Sequence, residues 1–141
     1  MPCNSPCHTP ILGINGKWRL VQDLQIINEA ILPLHPVVPN PYTLLSEIPE
    51  QVKYFSVIDL KDAFYLVPLA EESQFLSAFE DSMQPGSQLT WTVLPWGFRG
   101  SPHLFGQSLS RDLQNFNSSK AVVLQYGNDI LLCDETEEAC S

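Results

Sequence analysis

The chain has 141 residues, 44% of them hydrophobic, which suits one folded domain with a modest core and excludes a disordered chain. The formal net charge is −9, with seven Lys and Arg against 16 Asp and Glu. That balance argues against a free-standing binder of phosphate backbones, and leaves carboxylates gathering a divalent cation as the alternative.

In chain order, the first ten residues, MPCNSPCHTP, carry neither a basic region nor an apolar one, so no secretory signal is expected. No apolar run is long enough to span a membrane, and an intracellular protein is expected. Cys3, Cys7 and His8 invite a zinc reading, but no good second ligand pair follows. The plainer reading is two end segments with reduced thiols, Cys133 and Cys140 included.

Residues 10–24 read as two short extended pieces around Asn15-Gly16, and residues 22–31 as a weak helix. Prolines at 33, 36, 39 and 41 mark an extended connection. Asn40-Pro41 then starts a helix that stops near Pro49, with Asn as cap and Pro at the first helical position. Tyr54–Asp59 is rich in β-branched and aromatic residues and predicts a buried strand. After a turn at residues 61–63, further strands are expected at 64–69, 75–79 and 89–94, with a Pro85-Gly86 loop between the last two. Ser101-Pro102 opens the strongest helix, with Phe105, Leu109, Leu113 and Phe116 on one stripe. A hairpin follows, with strands at 121–125 and 130–133, a polar tip at Tyr126-Gly127-Asn128-Asp129, and a frayed acidic tail. The outer strand 130–133 is expected to present an unpaired edge. Strands and helices do not alternate strictly, which predicts an α+β fold with a largely antiparallel sheet and helices on one face.

One carboxylate, Asp59, ends a strand, and another, Asp129, sits at the hairpin tip. If the two strands are neighbours, the carboxylates converge. Hard oxygen donors of that kind bind Mg²⁺, and two such ions activate a 3′-hydroxyl and stabilise a leaving pyrophosphate. The plainer reading is that Asp59 ends a strand and Asp129 makes a turn.

Val57-Ile58-Asp59-Leu60-Lys61-Asp62-Ala63-Phe64, Leu94-Pro95-Trp96-Gly97-Phe98 with Ser101-Pro102, and Leu124-Gln125-Tyr126-Gly127-Asn128-Asp129 stand in that order along the chain. They resemble the three central palm motifs of reverse transcriptases, those of gammaretroviruses and related endogenous retroviruses above all. Trp18–Leu24, His35–Tyr42 and Gln88–Thr92 resemble the same family. The resemblance covers essentially the whole chain.

It implies fingers and a finger–palm connection over about 1–50, palm over about 51–134 with an intervening finger segment, and a tail at 135–141. It implies Mg²⁺ or Mn²⁺ held by Asp59 and Asp129, an RNA or DNA template-primer, and deoxynucleoside triphosphates. Arg19 resembles the finger arginine that clamps the triphosphate, a role suited to a planar guanidinium. Asp62 and Ala63 match positions whose backbone N–H groups approach the triphosphate. Phe64 resembles the steric gate against a ribose 2′-hydroxyl, its plainer reading being a core ring. Trp96 and Gly97 match the nucleotide-facing loop, and Tyr126 opens the hairpin motif near the primer end.

Departures from the family pattern imply impaired catalysis. Asn128 stands where the family has the first aspartate of Tyr-x-Asp-Asp, and a neutral amide cannot supply that charge. Gly127 replaces an apolar residue, and glycine is expected to loosen the turn. Trp96 replaces a glutamine. The Ile11–Asn15 stretch is shortened and retains no lysine before Lys17, and the chain stops before any thumb. The alternative to a polymerase is a non-catalytic remnant or a small interaction module.

Overall fold

The computed structural model describes residues 11–12, 18–19, 22–35, 38–81, 83–116 and 121–140. In chain order these form β1 (Ile11–Leu12), β2 (Trp18–Arg19), α1 (Gln25–Ala30), α2 (Pro41–Ser46), β3 (Tyr54–Asp59), a 3₁₀ turn (Ala63–Leu66), α3 (Glu71–Gln74), a second 3₁₀ turn (Phe75–Ser77), β4 (Phe79–Glu80), β5 (Gln88–Leu89), α4 (Ser101–Gln114), β6 (Val122–Tyr126), β7 (Asp129–Asp134) and α5 (Glu137–Cys140). All strand pairs are antiparallel, so the fold is α+β as expected. The zinc reading of Cys3, Cys7 and His8, and the Asn15-Gly16 turn, lie outside the described residues.

The chain divides into two compact units. One comprises the described residues up to His35 together with Phe64–Ser101, and its core gathers Leu24, Ile27, Ala78, Phe79 and Leu94. Here the strands are shorter than the apolar patterning predicts. The expected strand 64–69 begins as a 3₁₀ turn, because Val67 N–H bonds back to the Phe64 carbonyl. Only its end is extended: Leu69 N–H donates to Thr92 O, Leu94 N–H donates to Val67 O, and Pro68 bridges Val93. Pro68 has no N–H to extend that ladder. The expected strand 75–79 is likewise half helical. Glu71 and Glu72 occupy the first turn of α3, where negative charge suits a helix N-terminus, and the 3₁₀ turn continues it to Ser77.

The other unit comprises the described residues of 36–63 and 102–140, with Phe105, Leu124, Ile130 and Cys133 buried. Its sheet has the order β3-β7-β6. Helix α2 starts as the sequence predicts: Asn40 Oδ1 accepts from Tyr42 N–H and Pro41 opens the helix. Along α4, Phe105 is buried and Leu109 and Leu113 half-buried, while Phe116 is exposed because the helix ends at Gln114. Of the stripe, Leu113 lines a cavity together with Val123, Leu124 and Gln125 of β6. The acidic tail forms α5, entered through Asp134 Oδ1, which accepts from Thr136 N–H at 2.9 Å.

Two further strand expectations are corrected. Tyr54–Asp59 is not buried: Phe55 is 56% and Val57 71% exposed. Strand β7 is not an edge but the centre of its sheet, bonded to β3 on one side and β6 on the other. The hairpin partner is sequence-local and easily foreseen, whereas β3 arrives from about 70 residues earlier. Amides of residues 130–133 are therefore expected to exchange more slowly than those of the edge strand 54–59. Equal or inverted rates by hydrogen exchange would contradict the central placement.

Candidate catalytic site

The register of β3 on β7 sets Asp59 directly opposite Asp129. Directly opposed residues of an antiparallel pair share one face, with Cβ atoms about 4.5–5.5 Å apart. Both carboxylates are exposed. In water, two such charges repel by on the order of 1 kcal/mol or less. Two-residue loop Gly127-Asn128 joins β6 to β7. Gly127 takes φ 61, while Asn128 is not among the residues with positive φ. A glycine at the first central position is what a type II′ hairpin turn uses. The expectation that Gly127 loosens the turn is thus reversed: a side chain there would carry the left-handed strain that glycine avoids.

Asn128 is tied to the end of β3 twice. Its carbonyl accepts from Leu60 N–H at 3.1 Å, and its Nδ2 donates to Asp59 Oδ1 at 3.1 Å. Three side chains that the sequence singled out, Asp59, Asn128 and Asp129, therefore meet at one sheet end. The donor set suits a hard cation in kind, since both carboxylates offer oxygen. It is poor in charge: among the described residues, no group of three or more His, Cys, Asp or Glu gathers as a metal site. Tyr126 is paired with Asp129 across the hairpin. Asp62, just after β3, holds φ 53, a left-handed conformation that aspartate tolerates better than most side chains. Ala63 beside it is buried.

A groove of about 580 Å³ runs along α4 to the hairpin, lined by Pro102, His103, Gly106, Arg111, Gln125 and Gly127, among others. Gln125 Nε2 reaches both the Gly106 and Gly127 carbonyls at 3.4 Å, linking helix to turn.

Phe64 and Trp96 belong to the unit that contains Leu94. Phe64 and Trp96 pack with ring centroids 4.6 Å apart at 50°. Both rings are half-buried. Gly97 follows with φ 87 and reverses the chain. Arg19 sits in β2, and its side chain lies outside the described residues.

Residues 8–141 match the family described as "Reverse transcriptase (RNA-dependent DNA polymerase)". The chain belongs to the reverse transcriptase family. It is 48% identical to the Gag-Pol polyprotein of Avian reticuloendotheliosis virus over 99% of the chain and 13% of that protein. It is 45% identical to the Pol polyprotein of Feline endogenous virus ECE1 and to the Gag-Pol polyprotein of Baboon endogenous virus, spanning 14% and 9% of their lengths. Among solved structures, a foamy viral protease–reverse transcriptase in complex with double-stranded DNA superposes with a TM-score of 0.73. The identity there is 32%, covering 96% of this chain and 22% of that one. A native prototype foamy virus protease–reverse transcriptase gives a TM-score of 0.63 at 33% identity, with coverage of 91% and 16%. This reverse transcriptase domain therefore spans a small part of the polyproteins it matches. No helix among its described residues is long and apolar enough to cross a membrane.

Two features of this domain escaped the sequence reading. The pairing of Asn128 with Asp59 needs a register that no local pattern reveals. The side chain of Asn28 reaches the Gly97 loop from 69 residues away, and nothing about an asparagine in a weak helix signals that contact.

Proposed function

We propose that this chain carries the carboxylates and the nucleotide-facing residues of an RNA-directed DNA polymerase, with a catalytic centre weakened at Asn128. The observation that carries the reading is Asp59 opposite Asp129, with the Asn128 amide bonded to Asp59 Oδ1. Asp59 and Asp129 would hold Mg²⁺ or Mn²⁺. When bound, the ions would supply activation of a primer 3′-hydroxyl and stabilisation of the leaving pyrophosphate. The chain's own residues do the rest. Arg19 clamps triphosphate oxygens, and the backbone at Asp62 and Ala63 approaches them. Phe64 bars a 2′-hydroxyl, and the Trp96-Gly97 loop and Tyr126 border the nucleotide and primer end.

Residues of about 1–50 serve as fingers and the finger–palm connection, and about 51–134 as palm with an intervening finger segment. The template-primer, RNA or DNA, lies along the groove that Arg111 and His103 line. Asn128 acts against catalysis in two ways. It brings no charge to the ions, and its N–H occupies an Asp59 oxygen that a cation would use.

Primer extension on an RNA template, with Mg²⁺ and with Mn²⁺, tests this reading. The parent chain is expected to incorporate no nucleotide above background. Vigorous templated synthesis by the parent, lost in Asp59→Asn, would overturn the impairment and leave Asn128 a tolerated ligand.

A further inference from the structure

The loop that carries Trp96 is held at both ends by ordinary contacts. Leu94 N–H bonds to Val67 O at 3.0 Å, and Ser101 Oγ donates to Pro95 O at 2.9 Å. At its tip a residue from far along the chain takes hold. Asn28, half-buried in α1, donates from Nδ2 to the Gly97 carbonyl at 2.8 Å. The same amide accepts at Oδ1 from Arg99 N–H at 2.8 Å. The Asn28 backbone carbonyl also takes Arg99 Nη1 at 3.4 Å. A carboxamide donates and accepts from neighbouring atoms, so it engages the loop as one rung of a strand ladder would. Aspartate accepts only, and alanine does neither.

We propose that Asn28 is a positioning residue for the nucleotide-facing loop: its amide grips the loop tip at Gly97 and Arg99 and so sets the Trp96 indole against Phe64. The chain of contact is short. Trp96 is bonded covalently to Gly97, Gly97 reverses the chain at φ 87, and its carbonyl is the group Asn28 holds. Releasing the tip frees the peptide that orients Trp96. The link to nucleotide binding rests on the reading of Phe64, Trp96 and Gly97 given above.

The test compares the 141-residue chain with Asn28→Ala and Asn28→Asp by backbone amide exchange, indole N–H resonances and titration with a magnesium deoxynucleoside triphosphate. In Asn28→Ala, the Arg99 amide is expected to exchange about tenfold faster, as loss of one hydrogen bond implies. The Trp96 indole signal is expected to move. The Leu94 amide and the Trp91 indole, which donates to Gln22 Oε1 at 2.8 Å in the same unit, report on the fold and are expected to hold still. Asn28→Asp keeps the acceptor and is expected to restore Arg99 protection but not the Trp96 signal. Nucleotide affinity falls about tenfold in Asn28→Ala.

Unchanged Arg99 and Trp96 signals in Asn28→Ala would overturn the proposal. If that variant fails to fold, as Leu94 and Trp91 would report, Asn28→Asp decides: a parent-like Trp96 signal there overturns it equally. A parent chain that binds no nucleotide overturns the pocket reading, while the Arg99 and Trp96 signals still decide the role of Asn28.

Discussion

Leu94→Ala is expected to cost about 2–5 kcal/mol of folding stability, the range for truncating a fully buried leucine. Leu94 is 1% exposed, and its N–H bonds to Val67 O, so neither side chain nor backbone has room to adjust. Collapse around the vacated methyls would have to move the extended pair that Pro68 and Val93 form. The comparison that makes the claim sharp is Val57→Ala. Val57 is 71% exposed on an edge strand, and its truncation is expected to stay within about 0.5 kcal/mol. Leu109→Ala belongs between them, since Leu109 is only half-buried on α4. Denaturant titration of the three variants ranks them. Equal losses at Leu94 and Val57 would show that the burial pattern does not describe the folded chain.

Leu109 and Val57 show what the sequence can and cannot tell. Leu109 was legible because a helix repeats its face every three to four residues, and α4 is long enough for the repeat to speak. Phe116 departs from the stripe because the helix ends at Gln114, before the repeat reaches it. Asn40-Pro41 was legible for a different reason: a cap is a bond between neighbours, with Asn40 Oδ1 reaching Tyr42 N–H. The exposure of Val57 is not legible, because an apolar, β-branched run fits a pleated strand whether or not anything covers it. Residues 64–69 and 75–79 failed because aromatic and β-branched content competes with turn bonds that depend on partners elsewhere, such as Gln74 Nε2 on Leu69 O.

The candidate site divides in the same way. Asp59 and Asp129 were legible as a pair, since each marks a strand terminus and the motif order implies neighbours. Their register, and hence the use Asn128 makes of its amide, belongs to long-range pairing and to no local signal. From sequence alone Gly127 is expected to loosen the turn, whereas its φ of 61 shows a backbone requirement that only the turn geometry displays.

Asn128→Asp is expected to strengthen the metal response, so that the variant melts below the parent without metal and level with or above it when loaded. Without metal, the substitution removes the Nδ2–H bond to Asp59 Oδ1, worth about 0.5–1.5 kcal/mol. It also sets a third carboxylate beside two, a repulsion on the order of 1 kcal/mol for exposed charges. The metal-free variant should thus melt below the parent. Adding Mg²⁺ or Mn²⁺ inverts the balance, because a ligand at a hundred times its Kd stabilises the folded state by about 2.7 kcal/mol. That gain exceeds or matches the combined loss, so the loaded variant should return to or pass the parent. The parent itself, whose Asp59 oxygen is engaged by an amide, should respond weakly. Sodium chloride at matched ionic strength separates binding from screening, since screening relieves exposed repulsion without any site. Asn128→Ala separates the two parts of the loss: it forfeits the same bond but adds no third carboxylate, so without metal it should melt below the parent and above Asn128→Asp. A divalent response equal in the parent, Asn128→Asp and Asn128→Ala would mean that residue 128 does not govern cation binding at Asp59 and Asp129. If none of the three responds to divalent ions or to nucleotide, the chain is an interaction module on a polymerase scaffold, and the opposed carboxylates are only the ends of two strands.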